Sequence, residues 1–332
     1  MALRSEQDFL TLIDRYFPPA GSLDGGRTGL ERTGHVIMGR GDDCAVLRCP
    51  GRICMSADLF LEDVHFRRAY FLPEEVGYKA LAVNVSDISA MGGRPLGFCL
   101  QLFGPSDVPQ EWWEGLFEGM AGLANALRLP LVGGDLSRGP NIGLAVTVWG
   151  EEAEGGRFLS RQTAMPGDHL FLVGQVGLAR AGLMALEADG RRACRDLPRA
   201  TRAHLRPGLH VEQAMHLGKL DFVRGLMDVS DGLAMDLPRF LPPGLGADLN
   251  PTAVDIDPEV VDYAARLAAD PLFFALAGGE DYALLGAAAP EAAKELAQAV
   301  PEARIIGRVL ETPGLFLAGN PALVAGFDHF AD

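Results

Sequence analysis

Four acidic clusters punctuate the chain: Gly41-Asp42-Asp43, Asn84-Val85-Ser86-Asp87, Gly133-Gly134-Asp135 and Asp228-Val229-Ser230-Asp231-Gly232. Each sits beside glycine, serine or asparagine. An isolated aspartate is usually a solvated loop residue or a helix cap. Carboxylates repeated at such turns, each next to an apolar run, are the hard oxygen donors that Mg²⁺ prefers. That ion keeps several waters and is shared between one or two carboxylates and substrate phosphates. The pattern points to a Mg²⁺-dependent nucleotide enzyme.

The usual phosphate devices are missing. Of the lysines Lys79, Lys219 and Lys294, only Lys219 follows a glycine, and Gln213 and Leu220 occupy the other places that a Walker loop requires. No Gly-x-Gly-x-x-Gly opens a helix after a strand, and neither Gly-x-Ser-x-Gly nor His-Glu-x-x-His occurs. Cys-x-x-Cys is absent too, which argues against a thiolate zinc site.

A formal charge of −15 argues against nucleic-acid binding, which needs a basic surface to displace counterions. It also sharpens the metal reading, since an acidic site repels phosphates unless divalent cations lie between them. With 48% hydrophobic and 22% charged residues, 332 residues fit a well-packed protein of two domains. The first residues lack the apolar core of a signal peptide, and no run is long and apolar enough to span a bilayer. Cys44, Cys49, Cys54, Cys99 and Cys194 are odd in number and partly inside strand-like runs, so they read as reduced core cysteines of a cytoplasmic protein.

The elements that must hold the clusters follow from periodicity. Ser5 and Asp8 resemble a capping box that opens a helix. Residues 44–47 and 52–57 read as short strands, 73–91 as a helix begun by Pro73 and stopped by Gly92-Gly93, 96–103 as a strand and 110–129 as a helix. Strands at 130–133 and 142–150 precede the acidic, glycine-containing turn 151–156, taken as the boundary between a domain 1–150 and a domain 151–332. The second half shows a strand at 169–174, a helix from Leu178, a long helical region over 199–217 and a helix from Asp231 ended by Pro242-Pro243. Strands at 247–249, 282–285 and 304–309 bracket a helix over 292–299. The mixture argues for two α/β or α+β domains.

On this frame Asp43 precedes one strand and Asp58 ends the next, so a hairpin would bring them together; a turn acid at each place is the plainer reading. Asn84 and Asp87 are three apart in a helix and share a face. Their apolar neighbours Val83, Val85 and Ile88 suggest that this face is partly buried, where a carboxylate needs a partner. Gly133-Gly134-Asp135 reads equally as a strand exit or as backbone open to phosphate. Asp231 or Ser230 either caps the helix that follows or leaves its N-terminus for phosphate. Gly278-Gly279-Glu280-Asp281 is a fifth acidic turn. His65 by itself reads as a hydrogen-bonded surface histidine.

Taken in order, these segments resemble the thiamine-monophosphate kinase family of the aminoimidazole ribonucleotide synthetase superfamily. The resemblance rests on Gly41 to Ala45, Ser56-Ala57-Asp58, His65-Phe66, Tyr78 to Gly92 and Gly133-Gly134-Asp135. It continues through Arg161, Pro166-Gly167-Asp168, Asp228 to Leu233, Gly278 to Tyr282 and Asp328-His329-Phe330. It covers nearly the whole chain. It implies a two-domain α+β fold, the first domain binding ATP and Mg²⁺ and dimerising, the second completing the active site. It also implies ATP-dependent phosphorylation of thiamine monophosphate to thiamine diphosphate, and a homodimer whose N-terminal sheets pair into a shared barrel. By the same resemblance Asp43, Ser56, Asp58, Asp87, Asp135, Asp228 and Asp231 are Mg²⁺ ligands, and Gly134, Asp135, Arg161 and Ser230 contact ATP. His65, Glu280 and Phe327 contact the acceptor.

Two positions depart from the family pattern. Ala57 stands where the family often has threonine, so only its backbone carbonyl remains as a metal ligand, and Val64 stands where a polar residue is common. Rival readings are weaker. A selenophosphate synthetase is expected to carry cysteine in its glycine-rich N-terminal segment, which 21–29 lacks. A hydrogenase-maturation relative is expected to end in cysteine, whereas this chain ends Phe330-Ala331-Asp332. A non-catalytic acidic metal-binding protein would show no ATP turnover.

Overall fold

The structure, a computed structural model, describes residues 3, 5–19, 35–40, 44–49 and 51–322. The expected site residues Asp43 and Phe327 lie outside this set. Contacts divide the chain into two compact units, Met1–Ile88 with Arg94–Glu151 and Ser89–Gly93 with Glu152–Asp332.

The first unit begins with α1 (Glu6–Tyr16), opened by the capping box: the Asp8 amide donates to Ser5 Oγ at 3.1 Å and the Ser5 amide to Asp8 Oδ2 at 3.0 Å. Next come β1 (Val36–Met38), β2 (Val46–Leu47), β3 (Ile53–Leu61), α2 (Pro73–Ala90) and β4 (Gly93–Gly104). The unit closes with α3 (Gln110–Leu127), β5 (Leu131–Arg138) and β6 (Gly143–Glu152). A four-stranded sheet runs β3-β6-β4-β5, with β3–β6 antiparallel and β4–β5 parallel. The apolar stripe of α3, including Trp113, Leu116, Phe117 and Met120, is buried, and Phe9 of α1 packs edge-on against Trp113 at 5.3 Å. α2 is buried around most of its circumference, including Lys79, whose ammonium lies 5.5 Å from the centre of the Phe71 ring.

The expected hairpin of 44–47 with 52–57 does not form. β2 pairs with β1 in a separate two-stranded sheet, and β3 pairs with β6, about ninety residues away in sequence. Strand β3 also runs on to Leu61, which puts Asp58 in mid-strand rather than at its end. Residues 133–135 likewise lie inside β5 instead of leaving a strand.

The second unit contains β7 (His169–Val173), α4 (Leu178–Asp189), α5 (Ala193–Asp196), α6 (Pro198–Leu205), α7 (Val211–Leu217) and β8 (Val223–Val229). It continues with α8 (Leu233–Phe240), β9 (Gly246–Leu249), α9 (Pro258–Arg266), α10 (Pro271–Ala277), β10 (Ala283–Ala288) and α11 (Ala293–Ala299). Strands β11 (Ala303–Leu310), β12 (Gly314–Leu317) and β13 (Asn320–Pro321) complete it. Its seven strands are ordered β13-β12-β9-β11-β7-β10-β8. Alternate residues of the central strands feed two cores. Leu170, Leu172 and Leu285 join α8 on one face, while Phe171, Val173 and Leu284 join α7 and α11 on the other. Burial on both faces explains why these strands read as continuous apolar runs.

The helical region expected over 199–217 is two helices, α6 and α7. Pro207 lacks an amide proton and restricts the residue before it, so the first helix ends at Leu205. Gly182 in α4 permits a close pass of α6, because a Cβ there would sit 2.1 Å from the Ala200 carbonyl oxygen. The structure adds helices α9 and α10, each opening on an Asp-Pro pair, with Asp257 and Asp270 each accepting a backbone N–H at 2.9 Å.

All five cysteines are free, but Cys44 and Cys49 are exposed, so the expectation of core cysteines fails for those two. Burial pushes the Cys54 thiol up to about 11. Among the described residues no helix is long and apolar enough to cross a membrane.

Candidate functional site

In the first unit the period of two along β3 places Ser56 and Asp58 on one face, and the helical period of α2 places Asn84 and Asp87 on another. The two elements meet through these residues. Ser56 Oγ donates to Asp87 Oδ2 at 2.5 Å, and the Asp58 amide donates to Asn84 Oδ1 at 3.1 Å. Asn84 is 1% exposed, and its Nδ2 donates to the Ala80 carbonyl at 3.0 Å, so its amide braces strand to helix. Ser56 gives its proton to Asp87 and keeps its lone pairs as possible metal donors.

Ala57 alternates to the other face of β3, between exposed Met55 and Leu59, and its backbone pairs with Thr147. Asp135 is exposed on β5, opposite Gln101. The strand order sets β5 three spacings from β3, roughly 14 Å, so the sheet does not bring Asp135 beside Asp58. Gly134 has a packing reason for its lack of a side chain: a Cβ would meet the Leu100 carbonyl oxygen at 1.9 Å. His65 stacks on Phe60 with ring centres 5.7 Å apart, and its Nδ1 accepts the Leu61 amide at 3.0 Å. Because Nδ1 accepts, the neutral ring carries its proton on Nε2.

The second unit gathers the other set around the end of β8. Asp228 is 3% exposed and pairs across the sheet with Leu284. The Ser230 carbonyl accepts the Glu280 amide at 2.7 Å, which places those two expected site residues side by side. Asp231 does not cap α8, whose cap position is Gly232. Its amide instead donates to Asp236 Oδ2 at 3.0 Å, and Arg239 binds the carboxylates of both Asp231 and Asp236. Arg161 is exposed, and the next amide, of Gln162, donates to the Phe240 carbonyl at 2.7 Å, which ties its turn to the end of α8. Glu280 Oε2 lies 2.9 Å from Nδ1 of buried His204. The Asp281 carboxylate accepts the amides of Gly177 at 2.6 Å and Ala179 at 2.9 Å, at the start of α4.

Asp236, Arg239 and His204 are not among the expected site residues, and Asp281 is expected only as part of an acidic turn. Asp236 and His204 are buried polar residues inside helices, α8 and α6. An acid flanked by Leu233 and Leu237, with an arginine three residues later, is the signal that was available.

Oxygen donors dominate both sets. Among the described residues no three His, Cys, Asp or Glu side chains converge on one point. Mg²⁺ does not require such a cage, since it takes one or two carboxylates and fills its shell with water and phosphate. Ser56, Asp58 and Asp87 therefore fit that ion by donor chemistry.

Burial pushes Asp281 up to about 7, against the hydrogen bonds from Gly177 and Ala179. Burial likewise pushes Asp236 up to about 6, helped by the charges of Asp231 and Asp228. A carboxyl whose folded pKa lies above its unfolded value binds its proton more tightly when folded. Its contribution is fully present below about pH 4 and is lost as pH rises through the folded pKa. The stability lead of the wild type over Asp281→Asn, measured by denaturant unfolding of metal-free protein, should therefore shrink between pH 5 and pH 8. A difference that stays constant over that range would show that Asp281 does not titrate there.

Comparison with known proteins identifies the family. The sequence patterns described as AIR synthase related protein, N-terminal domain, and AIR synthase related protein, C-terminal domain, match residues 41–151 and 165–320. The thiamine-monophosphate kinase of Aquifex aeolicus is 32% identical over 292 residues, covering 87% of this chain and 92% of the relative. That of Mycobacterium tuberculosis strain H37Rv is 33% identical over 313 residues, covering 92% and 89%. The solved structure of AaThiL complexed with AMPPCP and TMP superposes with a TM-score of 0.77 at 29% identity, covering 99% of this chain and 100% of that one. The chain belongs to the thiamine-monophosphate kinase family.

Proposed function

We propose that this protein transfers the γ-phosphoryl group of ATP to the phosphate of thiamine monophosphate, forming thiamine diphosphate and ADP. The observation that carries the reading is the end-to-end match to AaThiL complexed with AMPPCP, an ATP analogue, and TMP.

The acceptor is itself a phosphate. With a second pKa near ~6 its oxygen is largely ionised at neutral pH, so attack on the γ-phosphorus needs no strong general base. The P–O bond to ADP breaks as the new P–O bond forms, and ADP leaves with the electron pair. Bringing two anions together is the difficulty, and orientation with charge neutralisation supplies most of the acceleration.

Residues assigned to Mg²⁺ are Asp43, Ser56, Asp58, Asp87, Asp135, Asp228 and Asp231, with the Ala57 carbonyl. When bound, the ion neutralises phosphate charge. Gly134, Asp135, Arg161 and Ser230 are assigned to ATP. Arg161 is exposed on a turn tied to α8 and offers a forked cation to phosphate or ribose oxygens. His65, Glu280 and Phe327 are assigned to the acceptor. With Nδ1 engaged by the Leu61 amide, His65 can donate from Nε2.

A homodimer is part of the same reading. Ile53, Met55 and Leu59, 48%, 70% and 56% exposed, lie on one face of β3, itself an edge strand. An apolar edge of this kind favours cover by a second copy. Light scattering at micromolar concentration should give about twice the chain's 35.4 kDa; the monomer mass would contradict the dimer.

The direct test supplies ATP, Mg²⁺ and thiamine monophosphate and follows thiamine diphosphate by chromatography. Asp87→Asn keeps the side-chain volume and removes one charge, so it should cost at least about a hundredfold in kcat with an unchanged circular dichroism spectrum. No product from the wild type would sink the function. Near-normal turnover of the variant at saturating Mg²⁺ would take Asp87 out of the metal set.

A further inference from the structure

The turn that presents Glu280 is held in a conformation that its own residues disfavour. Glu280 at φ 66° and Tyr282 at φ 51° both occupy the left-handed region, which side chains other than glycine, asparagine and aspartate seldom adopt. Non-glycine residues persist there only when the surroundings over-determine the backbone. The surroundings here are specific. The Glu280 amide donates to the Ser230 carbonyl at 2.7 Å and the Tyr282 amide to the Val229 carbonyl at 2.9 Å. Between them Asp281 is bound by the first amides of α4.

These contacts fix the backbone of the turn, and one further contact reaches the Glu280 side chain. His204 in α6 is 2% exposed, and its Nδ1 lies 2.9 Å from Glu280 Oε2, while the Glu280 side chain keeps 28% of its surface accessible. A carboxylate oxygen accepts, so the imidazole carries a proton on Nδ1. The close pass of α6 over α4 at Gly182 brings His204 to the same turn that Asp281 anchors to α4. Backbone and side chain of Glu280 are thus held from two helices that are packed against each other.

We propose that His204 is a positioning residue for Glu280: it binds one carboxylate oxygen and so sets where the carboxylate meets the amino and cationic ring groups of the acceptor. This rests on the assignment of Glu280 to the acceptor made above. A purely structural histidine would affect the melting temperature and leave discrimination between the two substrates untouched.

The experiment compares the wild type with His204→Phe, His204→Asn, Glu280→Gln and the double variant His204→Phe/Glu280→Gln. His204→Phe and Glu280→Gln should each raise the KM for thiamine monophosphate by about tenfold and change that for ATP by no more than about twofold. His204→Asn, whose amide nitrogen takes the place of Nδ1, should recover most of the loss. The double variant should be no worse than Glu280→Gln alone, because both substitutions remove one interaction. Independently of turnover, Glu280→Gln should shift the ¹⁵N resonances of the His204 ring in the folded protein, a readout that survives if His204→Phe does not fold.

If His204→Phe leaves the KM for thiamine monophosphate unchanged while Glu280→Gln raises it, the role of His204 is overturned and that of Glu280 stands. Multiplying effects in the double variant, or unmoved His204 resonances, also overturn it. An unchanged KM in Glu280→Gln removes both the Glu280 assignment and this inference.

Discussion

A carboxyl group withdrawn from water must be given hydrogen-bond partners, and both units meet that requirement. In the first, the hydroxyl of Ser56 is delivered to Asp87 from β3, while Asn84 ties the same strand to the same helix. In the second, Asp236 is satisfied by the Asp231 amide and by Arg239, and Asp281 by the start of α4. A protein with a formal charge of −15 that handles phosphates needs its carboxylates placed, not merely present. Placement is what these donors supply.

The local chain geometry follows from the same need. The Glu280 amide donates to the Ser230 carbonyl, its neighbour Asp281 is bound at the start of α4 and its carboxylate meets His204, so the motif ending β8 and the acidic turn before β10 are linked. Three segments far apart in sequence, at α4, α6 and β8, determine where one carboxylate points. Arg239 of α8 has a parallel part, binding both Asp236 of the same helix and Asp231 just before it. Electrostatic stabilisation is most effective where the polar groups are already fixed and need not reorganise.

Much of this was legible in the residues, and the failures have physical causes. Asn84 and Asp87 share a face because three residues are nearly one helical turn, a local fact that spacing exposes. Periodicity marks the strand containing Ser56 but carries no information about its partner β6, which lies far along the chain. The strand expected over 52–57 stops short of Asp58, whereas β3 runs on to Leu61, so Asp58 lies mid-strand, on the strand that α2 braces through Asn84. A side chain at Gly134 would meet the Leu100 carbonyl of the neighbouring strand, a constraint between strands that local sequence does not show. His204 was invisible because a lone histidine in an amphipathic helix has no local signature. Its role depends on a turn seventy-six residues later, brought near by the approach of α6 to α4.

The central claim is a direct transfer between two phosphates with no covalent enzyme intermediate. Stereochemistry at phosphorus tests it most directly. ATP carrying a γ-thiophosphoryl group made chiral with oxygen isotopes would be turned over with thiamine monophosphate, and the configuration of the transferred phosphorus determined. A single in-line displacement requires inversion. Retention would demonstrate two displacements through a phosphorylated side chain, and would contradict the account.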